Sequence, residues 1–306
     1  MHEHYEDCPW REQALYTMDS RNQMLCGYYA FKGAAFQREN LLLMTQGLRP
    51  DGILSLCFPA GVDKPVPFFT LVYPIQIFEY IKYSKDESIL KKVKPVLQKI
   101  KQTFDSKVGD NGLIEALSGD CWNFYEWTAG SDHCADTEQD VKGRYDLILN
   151  CFYVYATSFF DKLLGVNTDL EKTKQAIKNT FYNSEKGLFK LDNKSDNYSV
   201  LGNAFALLIG LGGKELAERI ISDNTLIPIT LSMKTFLYDA LLLISNEYAE
   251  FIKEDIKKTY TYMLEKDATT FWETIVGAED FGGAGSLCHG WSALPIYYYN
   301  LFGIAK

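Results

Sequence analysis

The chain opens with a group of ionisable side chains whose types suit ligand binding and proton transfer. Asp7, Arg11, Glu12 and Asp19 lie close together in the sequence, and Pro9 after Asp7 predicts the start of a helix. The seven-residue spacing of Glu12 and Asp19 would place both carboxylates on one face of that helix. Carboxylates beside a guanidinium make strong, directional hydrogen bonds to sugar hydroxyls. A solvated helix start held by ion pairs is the alternative interpretation.

A second group lies near the other end of the chain, where Trp272 and Glu273 are followed by His289. An indole beside a carboxylate withdraws it from water and favours its protonated form, which suits proton transfer. His289 would then orient a carboxylate or a water molecule. The alternative is a surface glutamate with a histidine that caps the last helix.

Two tryptophans five residues apart, Trp122 and Trp127, lie in a long connection with Tyr125 and several acids between or beside them. Such a segment predicts a platform for a sugar ring, with the acids holding its hydroxyls. A hydrophobic plug that anchors the connection is the alternative. Further along, Asp132, His133, Cys134 and the acids up to Asp140 are metal ligands by type. Their spacing matches neither a zinc site nor a calcium loop, so a solvated acidic loop is expected rather than a structural metal.

Composition and missing motifs narrow the function further. The net charge is −9 and no basic run is interleaved with aromatics, so neither nucleic acid nor an anionic membrane is an expected partner. The sequence has no nucleophile elbow, phosphate-binding loop, dinucleotide glycine fingerprint or HExxH motif. The chemistry that remains is that of carboxylates, and no cofactor or metal is predicted.

Cysteine usage and the lack of a leader sequence predict a soluble cytoplasmic protein. The seven cysteines are scattered and form no CxxC pair, which is typical of free thiols in a reducing compartment. The sequence shows neither a signal peptide nor a run of about 18 apolar residues. The first chemical motif begins close to Met1, which agrees with a domain excised from a longer protein.

Helix-period apolar patterns dominate the chain, and no series of strands is apparent. We predict helices over 11–32, 34–47, 68–84, 87–105, 142–163, 168–182, 198–211, 213–222, 229–245, 247–264 and 288–302. The long connections 48–67, 108–141, 183–197 and 266–287 would elaborate one end of the molecule. No repeat is visible in the sequence, although helix pairs recur. We therefore predict an all-α single domain over 1–306, an (α/α)6 toroid, with an irregular bundle or a solenoid as the alternatives.

These motifs resemble a known family. The run from Asp7 to Glu12, Asp-Cys-Pro-Trp-Arg-Glu, followed by Asp19, is similar to the motif that opens the catalytic barrel of the α-L-rhamnosidases, glycoside hydrolase family 78. Trp122–Trp127, Ser199–Ala204 and the Phe271-Trp272-Glu273 run with His289 resemble later stretches of that family in the same order. The resemblance implies an (α/α)6 barrel that hydrolyses terminal α-L-rhamnosides with inversion and without a cofactor.

The resemblance also implies roles for individual residues. Glu273 would be the base that activates water. The remaining site residues would bind the sugar hydroxyls or complete the pocket: Asp7, Arg11, Glu12 and Asp19 for the hydroxyls, and Trp122, Trp127 and His289 for the pocket walls.

The chain departs from the family at the general acid. The family places a glutamate in the loop before the third helix, whereas the loop 58–69 contains only one acid, Asp63. Either Asp63 or Glu12 would therefore donate the proton. We expect an inverting exo-glycosidase acting on α-L-rhamnosides or a similar deoxy-sugar. The alternatives are an unsaturated-uronide hydrolase or a sugar-binding domain that has lost its proton donor. Members of the family often carry β-sandwich domains ahead of the barrel, and their absence here would leave one barrel edge uncovered.

Overall fold

The computed structural model describes residues 3–62 and 64–304 and is predominantly helical. Eleven helices of eight or more residues occur in this part of the chain, and we number them in chain order. They are α1 (Thr17–Ala30), α2 (Ala35–Thr45), α3 (Pro67–Ser84), α4 (Leu90–Asp105), α5 (Leu147–Leu164), α6 (Glu171–Phe181), α7 (Val200–Leu208), α8 (Lys214–Ser222), α9 (Lys234–Ile244), α10 (Ala249–Leu264) and α11 (Leu294–Leu301). Each corresponds to a helix predicted from the apolar pattern. Strands β1 (Tyr182–Asn183) and β2 (Leu188–Phe189) form a small antiparallel hairpin.

The odd-numbered helices form an inner ring and the even-numbered helices pack outside it. The sequence encodes this division through the width of the apolar face. Helix α3 is buried on nearly all sides over its first two-thirds. Helix α4 instead buries a single stripe that includes Val93, Leu97, Ile100 and Phe104, and exposes four of its five lysines. A helix that is apolar all round must lie inside a fold, whereas an amphipathic helix covers it from outside.

The inner ring closes on itself. Helix α1 packs against both α3 and α11, and the inner helices between α3 and α9 pack against one another in order. Between α9 and α11, the ring of Tyr238 packs edge-on against that of Tyr298, with centroids 4.9 Å apart. The hydroxyl of Tyr298 donates to the carbonyl of Thr235 on α9. The arrangement is the predicted (α/α)6 toroid, and the solenoid and irregular-bundle alternatives do not apply.

Aromatic side chains from four inner helices fill the axis of the ring. Phe68, Phe152, Phe205 and Phe236 pack together, and successive ring centroids lie between 4.4 and 5.0 Å apart. The guanidinium of Arg21 lies over Phe236, 4.7 Å from the ring centroid. The axis is therefore a packed core that forms the floor beneath the site.

Long and short connections alternate around the ring. The connections that lead from an outer helix into the next inner helix span 46–66, 106–146, 182–199, 223–233 and 265–293. The connections in the opposite direction are short, such as 31–34 and 245–248. All the long segments therefore meet at the end where the inner helices begin, as the sequence predicts.

Three of the long connections begin with the same small hairpin, a structural repeat that was not predicted. The paired residues are Leu48 with Leu54, Val108 with Ile114, and Tyr182 with Phe189. Each turn contains a glycine at positive φ, namely Gly52, Gly112 and Gly187. A glycine is suited to this backbone conformation because it has no Cβ to clash.

Two differences from the predicted helices concern α1 and α5. Helix α1 begins at Thr17 rather than near residue 11, so the segment with Asp7, Arg11 and Glu12 precedes it as an irregular loop. Helix α5 is long and apolar enough, by composition, to cross a membrane, although 61% of it is buried inside the ring. The search of the sequence for an uninterrupted run of apolar residues did not detect α5, because Asp161 and Lys162 interrupt its apolar run near the end.

Candidate active site

The loop before α1 is closed by Asp7. Its amide donates to the carbonyl of Ala14 at 3.0 Å, and its Oδ1 accepts from the amide of Ala14 at 2.7 Å. Asp7 therefore closes this loop and does not cap α1, whose N-cap is Tyr16. The predicted single helical face carrying Glu12 and Asp19 is wrong, because Glu12 lies in the loop. The loop nevertheless turns both carboxylates towards one cavity.

The two ends of the chain meet at this cavity. The amide of Gly290 donates to the carbonyl of Asp7 at 2.7 Å. Arg11 Nη2 donates to Glu273 Oε1 at 2.7 Å, and Nη1 donates to the carbonyl of Ala284 at 2.6 Å. Arg11 Nε lies 3.4 Å from Glu12 Oε1. One guanidinium therefore bridges the carboxylates of Glu12 and Glu273.

Glu273 is held rigidly. Its side chain is 2% exposed, its Oε2 accepts from the amide of Ser286, and its own amide donates to the carbonyl of Ser286, both at 2.8 Å. With Arg11 on the other oxygen, both carboxylate oxygens accept from donors, which fixes the orientation of the carboxylate. The sequence predicts a contact between Glu273 and the indole of the neighbouring Trp272. The structure shows a contact with a second indole, because Trp291 Nε1 donates to the backbone carbonyl of Glu273 at 2.8 Å.

Glu12 lies in different surroundings. Its side chain is 42% exposed. Partial burial and the negative charge of Asp7 raise the pKa of Glu12, while a hydrogen bond from the hydroxyl of Tyr16 and the charge of Arg11 oppose the rise. Glu12 consequently keeps its proton to higher pH than an ordinary glutamate. Two carboxyl groups of one cavity whose surroundings differ in this way are typical of an acid and base pair.

His289 lies at the centre of the acidic groups. Its ring stacks on Trp291 with centroids 4.1 Å apart. Its Nε2 is 3.7 Å from Asp7 Oδ2 and 3.8 Å from Glu273 Oε1, and its Nδ1 is 3.7 Å from Asp19 Oδ1. Burial and the charge of Arg11 lower the pKa of His289 to about 3, so the ring is neutral.

Asp19 is fully buried, and burial together with the charge of Asp7 raises its pKa well above the usual range. The shift favours the protonated form of Asp19, which can donate as well as accept a hydrogen bond. Asp7 Oδ2, Arg11 Nε and His289 Nδ1 are buried without a hydrogen-bond partner. Buried polar atoms are nearly always satisfied, so the atoms of Arg11 and His289, which line the cavity, are suited to bind the hydroxyls of a sugar, whereas Asp7, predicted as a hydroxyl ligand, is not among the lining residues.

The opposite wall of the cavity is aromatic. Trp122 and Trp127 both line it, as predicted, and their ring centroids lie 5.8 Å apart. The indole N–H of Trp122 donates to the carbonyl of Asp132 at 2.7 Å, which fixes the ring. The acids between or beside the tryptophans are not among the residues that line the cavity. Asp120 is largely exposed near Arg49, and Glu126 is buried against Thr230.

The cavity has a volume of about 360 Å³ and an amphipathic lining. Sequence reasoning missed several of its lining residues: Tyr16, Leu56, Val66, Phe69, Phe124, Phe281 and Trp291. Trp291 follows His289 closely and could have been included on that ground. Phe281 has a left-handed backbone with φ of 50°, and the centroid of its ring lies 5.8 Å from the guanidinium carbon of Arg11. Nothing in the local sequence indicates this contact. Asp63, predicted as one of two possible acids, lies outside the described residues.

The acidic segment after Asp132 is held by ion pairs. Asp136 accepts from Arg144 Nη1 at 2.7 Å and lies 3.2 Å from His133 Nδ1. Within residues 3–62 and 64–304, no group of three or more histidine, cysteine or acidic side chains is arranged to hold a metal ion. A cavity of about 420 Å³ beside α6 and α8 is larger than the site but is lined by one carboxylate, Glu215, and therefore lacks an acid and base pair.

A ring of paired helices with carboxylates and aromatic side chains at the end where the inner helices begin defines a six-hairpin toroid of the glycosidase class. The chain belongs to a family within that class, described as the bacterial α-L-rhamnosidase six-hairpin glycosidase domain, whose profile matches residues 1–300. The family comprises glycoside hydrolases. No curated protein matches the chain in sequence.

Solved structures share the fold. A family 78 rhamnosidase of Bacillus sp. GL1 superposes with a TM-score of 0.81 at 22% identity, covering 97% of this chain and 32% of that one. A Klebsiella oxytoca rhamnosidase with rhamnose bound gives 0.82 at 18% identity, covering 99% and 61%. A family 63 mannosylglycerate hydrolase from Thermus thermophilus gives 0.62 at 11% identity, covering 97% and 96%. The chain thus spans about a third to three-fifths of the two rhamnosidases.

Proposed function

We propose that this domain hydrolyses terminal α-L-rhamnosides, or glycosides of a similar deoxy-sugar, with inversion at the anomeric carbon. The observation that carries the proposal is the pairing of Glu12 and Glu273 across Arg11 in one amphipathic cavity. Membership of the rhamnosidase family supports the choice of sugar.

Glu12 is the general acid of the proposed reaction. Its proton passes to the glycosidic oxygen as the bond from that oxygen to the anomeric carbon breaks, and the aglycone leaves as an alcohol. Its raised pKa keeps the proton available to higher pH than in an ordinary glutamate. The assignment to Glu12 rests on its place in the lining of the cavity and on its contact with the guanidinium that holds Glu273.

Glu273 is the general base. It removes a proton from a water molecule that attacks the anomeric carbon from the opposite face, giving the sugar with inverted configuration. An inverting pair needs its carboxyl groups roughly 6.5–9.5 Å apart, so that a water molecule fits between the base and the sugar. Glu12 and Glu273 contact different nitrogens of Arg11, Nε and Nη2 respectively.

The lining of the cavity favours a neutral deoxy-sugar over an uronide. Arg11 is the only lysine or arginine among the described lining residues, and its guanidinium is already bonded to Glu273 and to the carbonyl of Ala284. Arg21 is buried within the ring and paired with Glu79 and Asp239. The aromatic wall suits an apolar sugar face and a methyl group.

The test is hydrolysis of an aryl α-L-rhamnoside, with the first-formed anomer identified by proton NMR. We expect inverted rhamnose from the wild-type domain and loss of turnover in Glu12→Gln and Glu273→Gln. Asp63→Asn and the exposed control Glu39→Gln should remain active. Activity lost in Asp63→Asn but kept in Glu12→Gln would transfer the acid role to Asp63. A domain that binds rhamnose but cleaves no aryl glycoside would be a sugar-binding module.

A further inference from the structure

Glu126 is a fully buried acid that the proposed mechanism does not use. It precedes Trp127, which lines the cavity, but its own carboxylate points away from the sugar site. Its Oε2 accepts from both the amide and the hydroxyl of Thr230, at 2.8 and 2.9 Å. Thr230 lies 104 residues further along, in the connection that leads into α9.

This contact ties two of the long connections to the inner ring. The hydroxyl of Thr230 lies 2.8 Å from that of Ser232, and the carbonyl of Ser232 accepts from Asn22 of α1 at 2.9 Å. Glu126 is therefore the point at which the tryptophan-bearing connection is attached to the rest of the site end.

The second oxygen of Glu126 has no such attachment. Oε1 is buried without a hydrogen-bond partner, and so are the hydroxyl oxygens of Thr128 and Ser131 on the same connection. A proton on Oε1 would turn that oxygen into a donor, and these hydroxyls of its own connection are acceptors. A proton on Oε1 would leave Oε2 as a carbonyl oxygen, which accepts more weakly from the amide and hydroxyl of Thr230.

The environment of Glu126 allows this proton to be exchanged near neutral pH. Burial raises the pKa of Glu126 to about 7, and the hydrogen bonds from Thr230 partly oppose the rise. No charged side chain contributes to the shift.

The ionisable groups near Glu126 along the chain and on the facing elements are engaged elsewhere. Tyr125 donates to Asp146, and Lys234 donates to Asp255. Arg21 of α1 is paired with Glu79.

A change at Glu126 would reach the sugar site through Trp127. The ring of Trp127 lies 4.9 Å from that of Phe124 and 5.4 Å from that of Phe281, centroid to centroid. Phe281 in turn lies beneath the guanidinium of Arg11 at 5.8 Å. The wall held by Glu126 therefore contacts the group that bridges the two carboxylates.

We propose that Glu126 is a positioning residue which holds Trp127 against the sugar site, and that its ionised form holds it more firmly than its neutral form. The inference rests on the proposed function for the identity of the sugar. Hydrogen bonds to a carboxylate are roughly twice as strong as those to a neutral acid. Sugar binding should accordingly tighten as the pH rises through neutrality.

The experiment follows tryptophan fluorescence and L-rhamnose affinity between about pH 5.5 and 8.5, a range centred on the midpoint expected for Glu126. In the wild type we expect affinity to rise about three- to tenfold across this range, with a parallel change in the emission of the sugar-free protein. Glu126→Gln, a neutral isostere, should give flat profiles at the level of the wild-type acidic limb. Glu138→Gln, on the same connection, should behave as the wild type.

Substitutions at Thr230 supply a second route. Thr230→Val removes the hydroxyl donor, so binding should weaken and the midpoint should move to higher pH, whereas Thr230→Ser should restore both. An unchanged transition in Glu126→Gln, or equal profiles for Thr230→Val and Thr230→Ser, would overturn the inference. The difference in emission of the sugar-free protein between the wild type and Trp127→Phe, one of its five tryptophans, reports on Trp127 even if the domain cleaves no rhamnoside, so failure of the proposed function is distinguishable.

Discussion

At the scale of single residues, the site depends on how one guanidinium is shared. Arg11 contacts Glu12 and Glu273, yet the two carboxylates differ in their other neighbours. Glu273 is enclosed by donors, whereas Glu12 faces the negative charge of Asp7. Their different roles in the proposed reaction follow from these surroundings and not from their chemical type.

The hydroxyl of Tyr16 sets the pH range of the proposed acid. It donates to Glu12 and thereby lowers the pKa of that group. Tyr16→Phe removes the donor, so the pKa of Glu12 should rise further. Because Glu12 acts in its protonated form, the alkaline limb of the profile of kcat against pH should move to higher pH. The exposed substitution Tyr182→Phe is the control, and a limb that moves to lower pH would contradict the assignment.

Glu273→Gln separates binding from catalysis. A base acts on water and contributes little to ground-state binding, and glutamine keeps an oxygen that can accept from Arg11. We expect turnover of an aryl rhamnoside to be abolished while rhamnose affinity, measured by calorimetry, stays within about tenfold of the wild type. A variant that retained most of its kcat would rule out Glu273 as the base.

At the scale of elements, the inner helices hold the hairpins that open the long connections. Asn150 of α5 accepts from the amide of Ile114 at 2.7 Å and donates to its carbonyl at 2.9 Å. Asn203 of α7 contacts Phe189 in the same way, at 2.8 and 3.1 Å. Each asparagine side chain forms hydrogen bonds with both the amide and the carbonyl of one hairpin residue. It thereby fixes the position at which the connection leaves the inner ring.

Removing one of these side chains should be costly. Asn150→Ala leaves the amide and carbonyl of Ile114 buried without partners, and we expect the free energy of unfolding to fall by about 2–3 kcal/mol. Urea denaturation measures the change. The exposed Asn179→Ala should alter it by less than about 0.5 kcal/mol. Equal effects of the two substitutions would show that the contact is dispensable.

The helices were predictable from the sequence, whereas the hairpins and part of the site were not. Apolar periodicity identifies α4 because its buried stripe recurs at helical spacing. The hairpins share only a turn and two apolar residues, which is too little to stand out as a repeat. The motif identified Arg11 and Glu273, but the covering position of Phe281 depends on a left-handed turn that local sequence does not specify. Nor does sequence indicate that Glu126 points away from the cavity.

At the scale of the whole molecule, an ionic cluster inside the ring links helices that are distant in sequence. Arg21 of α1 is almost fully buried and lies 2.7 Å from Glu79 on α3 and 3.4 Å from Asp239 on α9. Arg21→Met would leave two acids without their cation, so the free energy of unfolding should fall by about 3 kcal/mol or more. The triple variant with Glu79→Gln and Asp239→Asn should recover most of that loss.

The surface substitution Arg38→Met is the matched control for this measurement. Arg38 pairs with Glu39 and Asp86 near solvent, and exposed pairs contribute less than about 1 kcal/mol. If the two methionine variants lost equal stability, or if the triple variant recovered none of it, the cluster would have no special part in closing the ring.

The alternation of short and long connections has a consequence for how such a protein can change. At the end with links such as 31–34, an inserted residue would shift a helix against its neighbours. At the opposite end, extra residues lengthen segments that already extend beyond the ring, and longer loops add little entropic cost. Substrate specificity can therefore vary through changes in the long connections at one end of the toroid, while the ring of helices stays the same.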